Sequence, residues 1–180
     1  GIKQYTMEYD DEGDVWGTET HDLLVSEDRN LRPTDFEIGD DGALYVSDWQ
    51  NVIVGHMQHN ARDPDRDHSH GRIFRITYPA RPLVKPAQVA GASIPALLDN
   101  LKLPEYRTRY RTRRELRGRD GNAVMAALHK WSSSLNQSDP GFEHHLVEAL
   151  WVSWGLNRVH DVQPLLNHLL RAKDYRARAA

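Results

Sequence analysis

The chain has 180 residues, a formal net charge of -3 at pH 7 and no cysteine. Its hydrophobic fraction of 39% and charged fraction of 27% are typical of a globular protein. Without cysteine, disulfides, thiol catalysis and zinc-thiolate sites are excluded. Acidic and basic residues are interleaved and give no broad cationic field, so we expect no nucleic-acid partner. No apolar run approaches the roughly 18 residues of a membrane span, so we expect no membrane contact by this segment.

The two ends of the chain predict an internal fragment of a longer protein. The amino end, "GIKQYTMEYDDEGD", begins with Gly and lacks the basic and apolar parts of a signal peptide. The carboxyl end, "DYRARAA", has high helix propensity and no Gly, Pro or polar residue to cap a helix.

The first 78 residues show the period of β-strands. "PTDFEIG" alternates at Phe36 and Ile38, and "ALYVSDW" and "RIFRITY" are rich in aromatic and branched side chains. "GDDGA" brings Asp41 and Gly42 to a hairpin turn. Two weaker strand candidates, "IKQYTMEY" and "HDLLVS", lie upstream. We expect a single small antiparallel sheet of the size of a β-propeller blade, which needs neighbours to cover its faces.

Residues 79–93, "PARPLVKPAQVAGAS", predict a proline-rich linker, because repeated Pro removes donors and disfavours helix. From residue 94 to 180 the period is helical. One helix places Val124, Ala127, Leu128 and Trp131 on a stripe. A second stripe comprises Leu146, Ala149, Leu150 and Trp154. "VQPLLNHLLRA" predicts a further helix with Pro164 in its first turn. A spacing of about 33 residues per helix pair favours an α-α solenoid.

Three motifs carry a resemblance to a known family: "RPTDFEIGDDGALYVSDW", "GHMQHNARDPDRDHSHGRI" and "HHLVEALW". From about Asp22 onward the chain resembles large multidomain proteins of planctomycete and verrucomicrobial bacteria, described as membrane-bound-dehydrogenase-like or heme-binding. That family joins a propeller akin to sorbosone and soluble glucose dehydrogenases to HEAT repeats. It usually ends in a c-type cytochrome domain with a C-x-x-C-H motif, which the absence of Cys excludes from this chain.

The resemblance implies a terminal β-propeller blade at 1–78, the linker at 79–93 and HEAT-like repeats at 94–180. It implies a periplasmic or extracytoplasmic parent that oxidises a sugar-like alcohol or aldehyde with pyrroloquinoline quinone, calcium and heme c. Its partners would be the remaining blades and repeats of the same chain, and this chain alone is expected to be inactive. Because propeller and solenoid folds both serve as interaction platforms, a non-catalytic scaffold is the alternative.

The stretch "HMQHNARDPDRDHSH" is the main candidate site. As a metal site it would use His56, His59, Asp67, His68 and His70, since His with carboxylate suits zinc, iron, nickel or copper. The alternating Asp63, Asp65 and Asp67 resemble a calcium loop, but His68 stands where such a loop needs Gly. A second interpretation makes His56 or His68 a catalytic base toward an alcohol or quinone. The structural interpretation, in which Arg62 and Arg66 pair with nearby aspartates and the loop is simply tied down, is favoured.

Two further groups of residues have alternative interpretations. Arg32 and Asp48 are candidate cofactor-binding residues, but an ion pair of Arg32 with Asp35 and a turn cap at Asp48 are simpler. Seven arginines between Arg107 and Arg119 suggest a phosphate surface, yet helical geometry spreads them over several faces and favours local pairing with Glu115. His144, His145, Trp151 and Trp154 are predicted to lie at helix interfaces.

Overall fold

Strands occupy the first part of the chain and helices the second, as the change of hydrophobic period predicts. The structure is a computed structural model that describes residues 1–9, 14–51 and 63–180. It is a mixed α/β structure with two compact units, residues 1–83 and 84–180. The division falls inside the range that the sequence assigns to the linker. The strands of the described residues are β1 (Tyr5–Tyr9), β2 (Val15–Glu19), β3 (Pro33–Ile38), β4 (Leu44–Asp48) and β5 (Arg72–Ile76).

The strands form two antiparallel sheets, so the expectation of a single sheet is wrong. β1 pairs with β2, and β3, β4 and β5 form a three-stranded sheet with β4 in the centre. The outer edge of β3 lacks the regular row of free backbone N–H groups that pairing with the β1–β2 sheet would require. Pro33 has no N–H, a register shift follows it, and the Phe36 N–H donates to the neighbouring Asp35 carboxylate at 2.8 Å.

Two local strand assignments also differ from the sequence prediction. "VWGTE" forms β2 although the sequence patterns did not select it, and its branched and aromatic residues were the available signal. The weaker candidate "HDLLVS" forms no strand, and only Leu24 makes an isolated bridge, to Ile2. The turn between β3 and β4 is confirmed, with Gly42 at a φ of 76° and the Gly39 N–H donating to the Ala43 carbonyl.

The three-stranded sheet has one apolar face. The register aligns Phe36, Val46 and Phe74 in one row across the strands, and Ile38, Leu44 and Ile76 in the next. Within the described part of residues 1–83, the buried apolar side chains are Leu31, Ala43 and Val46. This unit therefore buries little apolar surface for its size.

The helices of the described residues are α1 (Ile94–Asn100), α2 (Tyr106–Arg117), α3 (Gly121–Ser133), α4 (Phe142–Gly155), α5 (Gln163–Leu169) and α6 (Tyr175–Ala179), with a 3₁₀ turn at Val159–Val162. Side chains cap three of them, since Ser93 accepts from the Ala96 N–H, Asp120 from the Ala123 N–H and Asp174 from the Arg176 N–H. Pro164 is confirmed in the first turn of α5. None of these helices combines the length and the apolar character needed to cross a membrane.

The core of the helical unit forms around α4, which contacts α2, α3, α5 and α6. The stripe of α3 is confirmed, because Val124, Leu128 and Trp131 are buried and Ala127 packs against them. The stripe of α4 is confirmed for Leu146, Ala149 and Leu150. Trp154 does not lie at a helix interface, because it is 68% exposed. The other buried side chains of α4 are His145, Val147, Glu148, Val152 and Ser153.

Candidate functional site

Asp48 is a buried carboxylate at the end of β4 and joins three segments of the sheet unit. Its Oδ1 accepts from the backbone N–H groups of Arg32 at 2.6 Å and Gln50 at 3.0 Å. Its Oδ2 accepts from the Arg72 Nε at 2.7 Å, and the same guanidinium reaches Asp28. Both oxygens are therefore used inside the protein, as the turn-cap interpretation of Asp48 requires.

The same contacts keep Asp48 ionised. Burial by itself would raise the pKa of this carboxyl group, but the N–H donors of Gln50 and Arg32 and the Arg72 guanidinium outweigh burial and lower it. Arg32 lies beside this cluster, and its side chain donates from Nη1 to the Leu31 carbonyl at 2.6 Å. Asp35, the predicted ion-pair partner of Arg32, accepts from the Phe36 N–H. The two candidate cofactor residues thus take part in bonds that shape the entry to the sheet.

The described part of the histidine-rich stretch forms two successive Asp-capped turns. Asp63 accepts from the Asp65 N–H at 2.9 Å. Asp67 Oδ1 accepts from the Ser69 N–H and hydroxyl, each at 2.9 Å, and from the His70 N–H at 3.1 Å. These donors, with the His70 ring, lower the pKa of Asp67 far below its usual range. Such turns are typical of Asp side chains in loops.

His70 is oriented by the same aspartate. Its Nδ1 lies 2.8 Å from Asp67 Oδ2, which leaves Nε2 facing outward on an exposed side chain. A carboxylate on Nδ1 and an outward Nε2 is the arrangement seen for histidines that ligate metals, and it also occurs in simple ion pairs. His68 is exposed on the same turn. Arg66 stacks on Trp49, with its guanidinium 4.2 Å from the ring centroid, instead of pairing with an aspartate of the described loop.

His56, His59 and Arg62, which belong to the predicted site, lie outside the described residues. Within residues 1–9, 14–51 and 63–180, no three His, Asp or Glu side chains are close enough to share a metal ion. Of the calcium-like pattern, Asp63 uses Oδ1 in its own turn, and Asp67 uses Oδ1 in its turn and Oδ2 toward the His70 ring. The proposed ligand set of His56, His59, Asp67, His68 and His70 therefore stays a prediction.

A second polar cluster, which the sequence patterns did not select, lies in the helical unit. Glu148 of α4 is completely buried, and its Oε1 accepts from the Arg109 Nε at 2.9 Å. Its Oε2 accepts from the Arg113 Nη1. Arg109 also donates to the Leu103 and Pro104 carbonyls at 2.7 and 2.6 Å. The signal was present in the sequence as a Glu inside the apolar run "LVEALW" and two arginines one helical turn apart.

The arginines of α2 are accordingly divided among several roles. Arg109 and Arg113 hold the buried carboxylate, and Arg119 pairs with Glu115 as the sequence predicts. His144 is half-buried beside Glu148, and its pKa is lowered mainly by burial and then by the charge of Arg109. This cluster fixes α2 to α4 and leaves Arg114 and Arg117 on the outer side of α2.

The two units carry opposite charge. Residues 1–83 contain eight Lys or Arg against seventeen Asp or Glu, a formal charge of -9. Residues 84–180 contain fifteen against nine, a formal charge of +6. Acidic and basic residues are interleaved along the chain, but the two units differ strongly in net charge. Each unit therefore favours partners of the opposite charge.

Fold and site together define a mixed α/β protein with an acidic sheet unit and a basic helical unit. Residues 2–80, nearly the whole sheet unit, match the model of a domain of unknown function, DUF7133. The chain has no significant match among curated proteins or among solved structures.

Proposed function

We propose that this chain is part of an extracytoplasmic multidomain redox protein of the planctomycete and verrucomicrobial family that its motifs resemble. Residues 1–78 would be the terminal blade of a β-propeller and residues 94–180 the first HEAT-like repeats of an α-α solenoid. The observation that carries the proposal is the apolar face of the three-stranded sheet, which is exposed along β3 at Phe36 and Ile38. A blade has such a face because its neighbours cover it.

The exposure of this face lies along the edge strand β3, whereas Val46 of the central strand is buried. Phe36 is 62% exposed and Ile38 50% exposed, although each lies in a cross-strand row whose β4 member is at least partly buried. Ile73, on the opposite face, is 76% exposed. In the β1–β2 hairpin every residue of both strands is exposed, including Trp16 and Tyr9. Apolar surface on both sheets favours further protein packed against them.

The proposed activity is oxidation of a sugar-like alcohol or aldehyde, with electrons passed to a c-type heme domain outside this chain. Heme c would be held by another part of the parent, because this chain has no Cys to attach it, and quinone and calcium would be held with the help of other blades. The contribution of this chain would be the loop bearing His56 and His68, at one end of the propeller channel. A His in that position would take the proton of the substrate hydroxyl.

The test is dye reduction by the full-length gene product with a panel of sugars, with and without pyrroloquinoline quinone and calcium. We expect sugar-dependent reduction of an artificial electron acceptor, and none by residues 1–180 alone. His68→Ala should abolish turnover or metal content without changing the melting temperature. A lower melting temperature with full turnover would instead assign His68 a structural role.

A non-catalytic propeller and solenoid scaffold is the second candidate. It is favoured by the structural bonds of Asp48 and Asp67, which engage both oxygens of each carboxylate. Absence of turnover with every sugar and cofactor, in a protein that still melts cooperatively, would support the scaffold.

Replacement of Asp48 tests the role of that residue separately. Asp48→Asn should lower the melting temperature, because Arg72 loses the charge of its buried partner and the Arg32 and Gln50 N–H groups lose a strong acceptor. The cost should be about 2 to 4 kcal/mol. Asp65→Asn, on an exposed residue of the same unit, is the matched control and should leave stability nearly unchanged. An unchanged melting temperature in Asp48→Asn, with lost cofactor binding, would contradict the structural role.

A further inference from the structure

A groove between α2 and α4 joins aromatic rings to arginines on the outer side of the helical unit. The α2 residues Tyr106, Tyr110, Arg114 and Arg117 follow one another at spacings of four, four and three, so they form a stripe on one face of the helix. Arg113 and the α4 residue Trp151 form the opposite wall. The groove has a volume of about 260 Å³. We call it the Arg/Tyr groove.

The walls of the Arg/Tyr groove are held in place by contacts already described. Tyr106 and Tyr110 stack with ring centroids 6.3 Å apart. Arg113 is anchored by Glu148, and its guanidinium lies 4.8 Å from the Trp151 ring centroid. Arg114 lies 5.9 Å from the Tyr110 ring. Because Glu148 is buried and fixes Arg113, the aromatic surface is preorganised for a ligand.

The charge of the groove is not balanced from within. Glu148 is shared by Arg109 and Arg113. In the part of the chain that the structure describes, no Asp or Glu pairs with Arg114 or Arg117, and both side chains are exposed. The mouth of the groove therefore presents two guanidinium groups beside apolar rings, and guanidinium groups bind carboxylates and phosphates through paired hydrogen bonds.

We propose that the Arg/Tyr groove binds an acidic peptide segment of a partner protein. Two carboxylates of the segment bind Arg114 and Arg117, and an apolar side chain between them packs on Trp151 and the Tyr110 ring. This inference rests on the groove alone and does not depend on the redox activity proposed above.

A peptide fits the groove better than a nucleic acid does. About 260 Å³ is below the roughly 300 to 1,000 Å³ of a typical small-molecule pocket and suits one or two side chains. A nucleic acid would need cations along an extended backbone path, and the mouth of this groove offers only Arg114 and Arg117. A short acidic segment meets only the local positive charge.

The experiment measures fluorescence anisotropy of a fluorescein-labelled peptide of alternating glutamate and leucine, added to the 180-residue chain. The test variant is Arg114→Gln with Arg117→Gln. The matched control is Lys130→Gln with Arg171→Gln, which removes the same charge from exposed residues outside the groove. We expect the control to bind like the wild type and the test variant to bind about tenfold more weakly or worse. The same peptide with Gln in place of Glu should not bind.

Three results would overturn the proposal. Equal losses in the test and control variants would show non-specific attraction to the basic unit. Tighter binding of a labelled single-stranded oligonucleotide, lost in the test variant, would assign the groove to nucleic acid. No binding of the peptide to a wild-type chain with a normal melting curve would show that the groove has no such ligand. Circular dichroism melting of both variants shows whether they are folded.

Discussion

Glu148 is a carboxylate with no exposed surface, placed between two arginines that are themselves largely buried. Removing such a group from water costs several kcal/mol, and the cost is recovered only when its oxygens are bonded to well-placed charged donors. Both oxygens of Glu148 have such a donor, from Arg109 and Arg113. The pair therefore fixes the position of α2 on α4, and losing either partner is costly.

Glu148→Gln should destabilise the helical unit by about 3 kcal/mol, because two partly buried guanidinium groups lose the charge that compensates them. Chemical denaturation followed by circular dichroism measures the change. Glu105→Gln, at the start of α2 and without a side-chain cap bond, is the control and should cost less than about 1 kcal/mol. Equal stability of Glu148→Gln and the wild type would show that the buried pair contributes no net stability.

His145 predicts how stability depends on pH. Burial lowers the pKa of this imidazole, and the nearby Asp139 opposes burial only in part. Between the lowered pKa of the folded state and about 6.5 in the unfolded state, the unfolded chain binds more protons. The stability that His145 contributes is therefore fully present above about pH 6.5. It is lost as the pH decreases below that value.

The measurement is the melting temperature at about pH 7.5 and about pH 5.5, which span the unfolded pKa. The wild type should melt lower at the acidic pH, and His145→Gln should show a smaller difference because one titrating group is removed. His129→Gln, on an exposed residue of α3, should keep the wild-type difference. A pH dependence that is the same in all three proteins would contradict the role of His145.

At the scale of single elements, the β3–β4 hairpin shows how a turn sequence is satisfied. Gly42 has a φ of 76°, which an L side chain with a Cβ adopts only with strain. Asp41 bonds to the Ala43 N–H and the Tyr45 hydroxyl, and these contacts lower its pKa. Gly39 has no room for a side chain, because a Cβ there would lie 2.5 Å from the Tyr45 ring.

Gly42→Ala should destabilise the sheet unit by about 1 kcal/mol, because alanine is strained at this positive φ. Gly42→Asn should cost less, since asparagine tolerates the left-handed region. Thermal melting of the two variants beside the wild type compares them directly. Equal effects of Ala and Asn would show that backbone strain at residue 42 is not the cause.

At the scale of the whole molecule, the two units differ in how much apolar surface they bury. The helical unit has a continuous core of buried residues from Ala92 to Ala177. In the described part of the sheet unit only Leu31, Ala43 and Val46 are buried apolar residues. Since burial of apolar surface is the dominant favourable term in folding, the helical unit should be the more stable of the two.

Expressed separately, residues 84–180 should melt cooperatively, and residues 1–83 should bind a hydrophobic dye or aggregate. The reason is the apolar surface that Phe36 and Ile38 expose along β3. Size-exclusion chromatography and dye fluorescence test both pieces. A monodisperse, cooperatively melting product of residues 1–83 would contradict this expectation and weaken the proposal of a propeller blade.

The sequence by itself determined the change from strands to helices, the turn at Asp41 and Gly42 and the buried stripe of α3. These features are local, because they follow from the period of apolar residues and from backbone preferences within a few positions. The tertiary structure alone decided that Glu148 meets Arg109 and Arg113, that the strands form two sheets and that Trp154 is exposed. These outcomes depend on which surfaces distant segments place against one another, and neither period nor propensity contains that information.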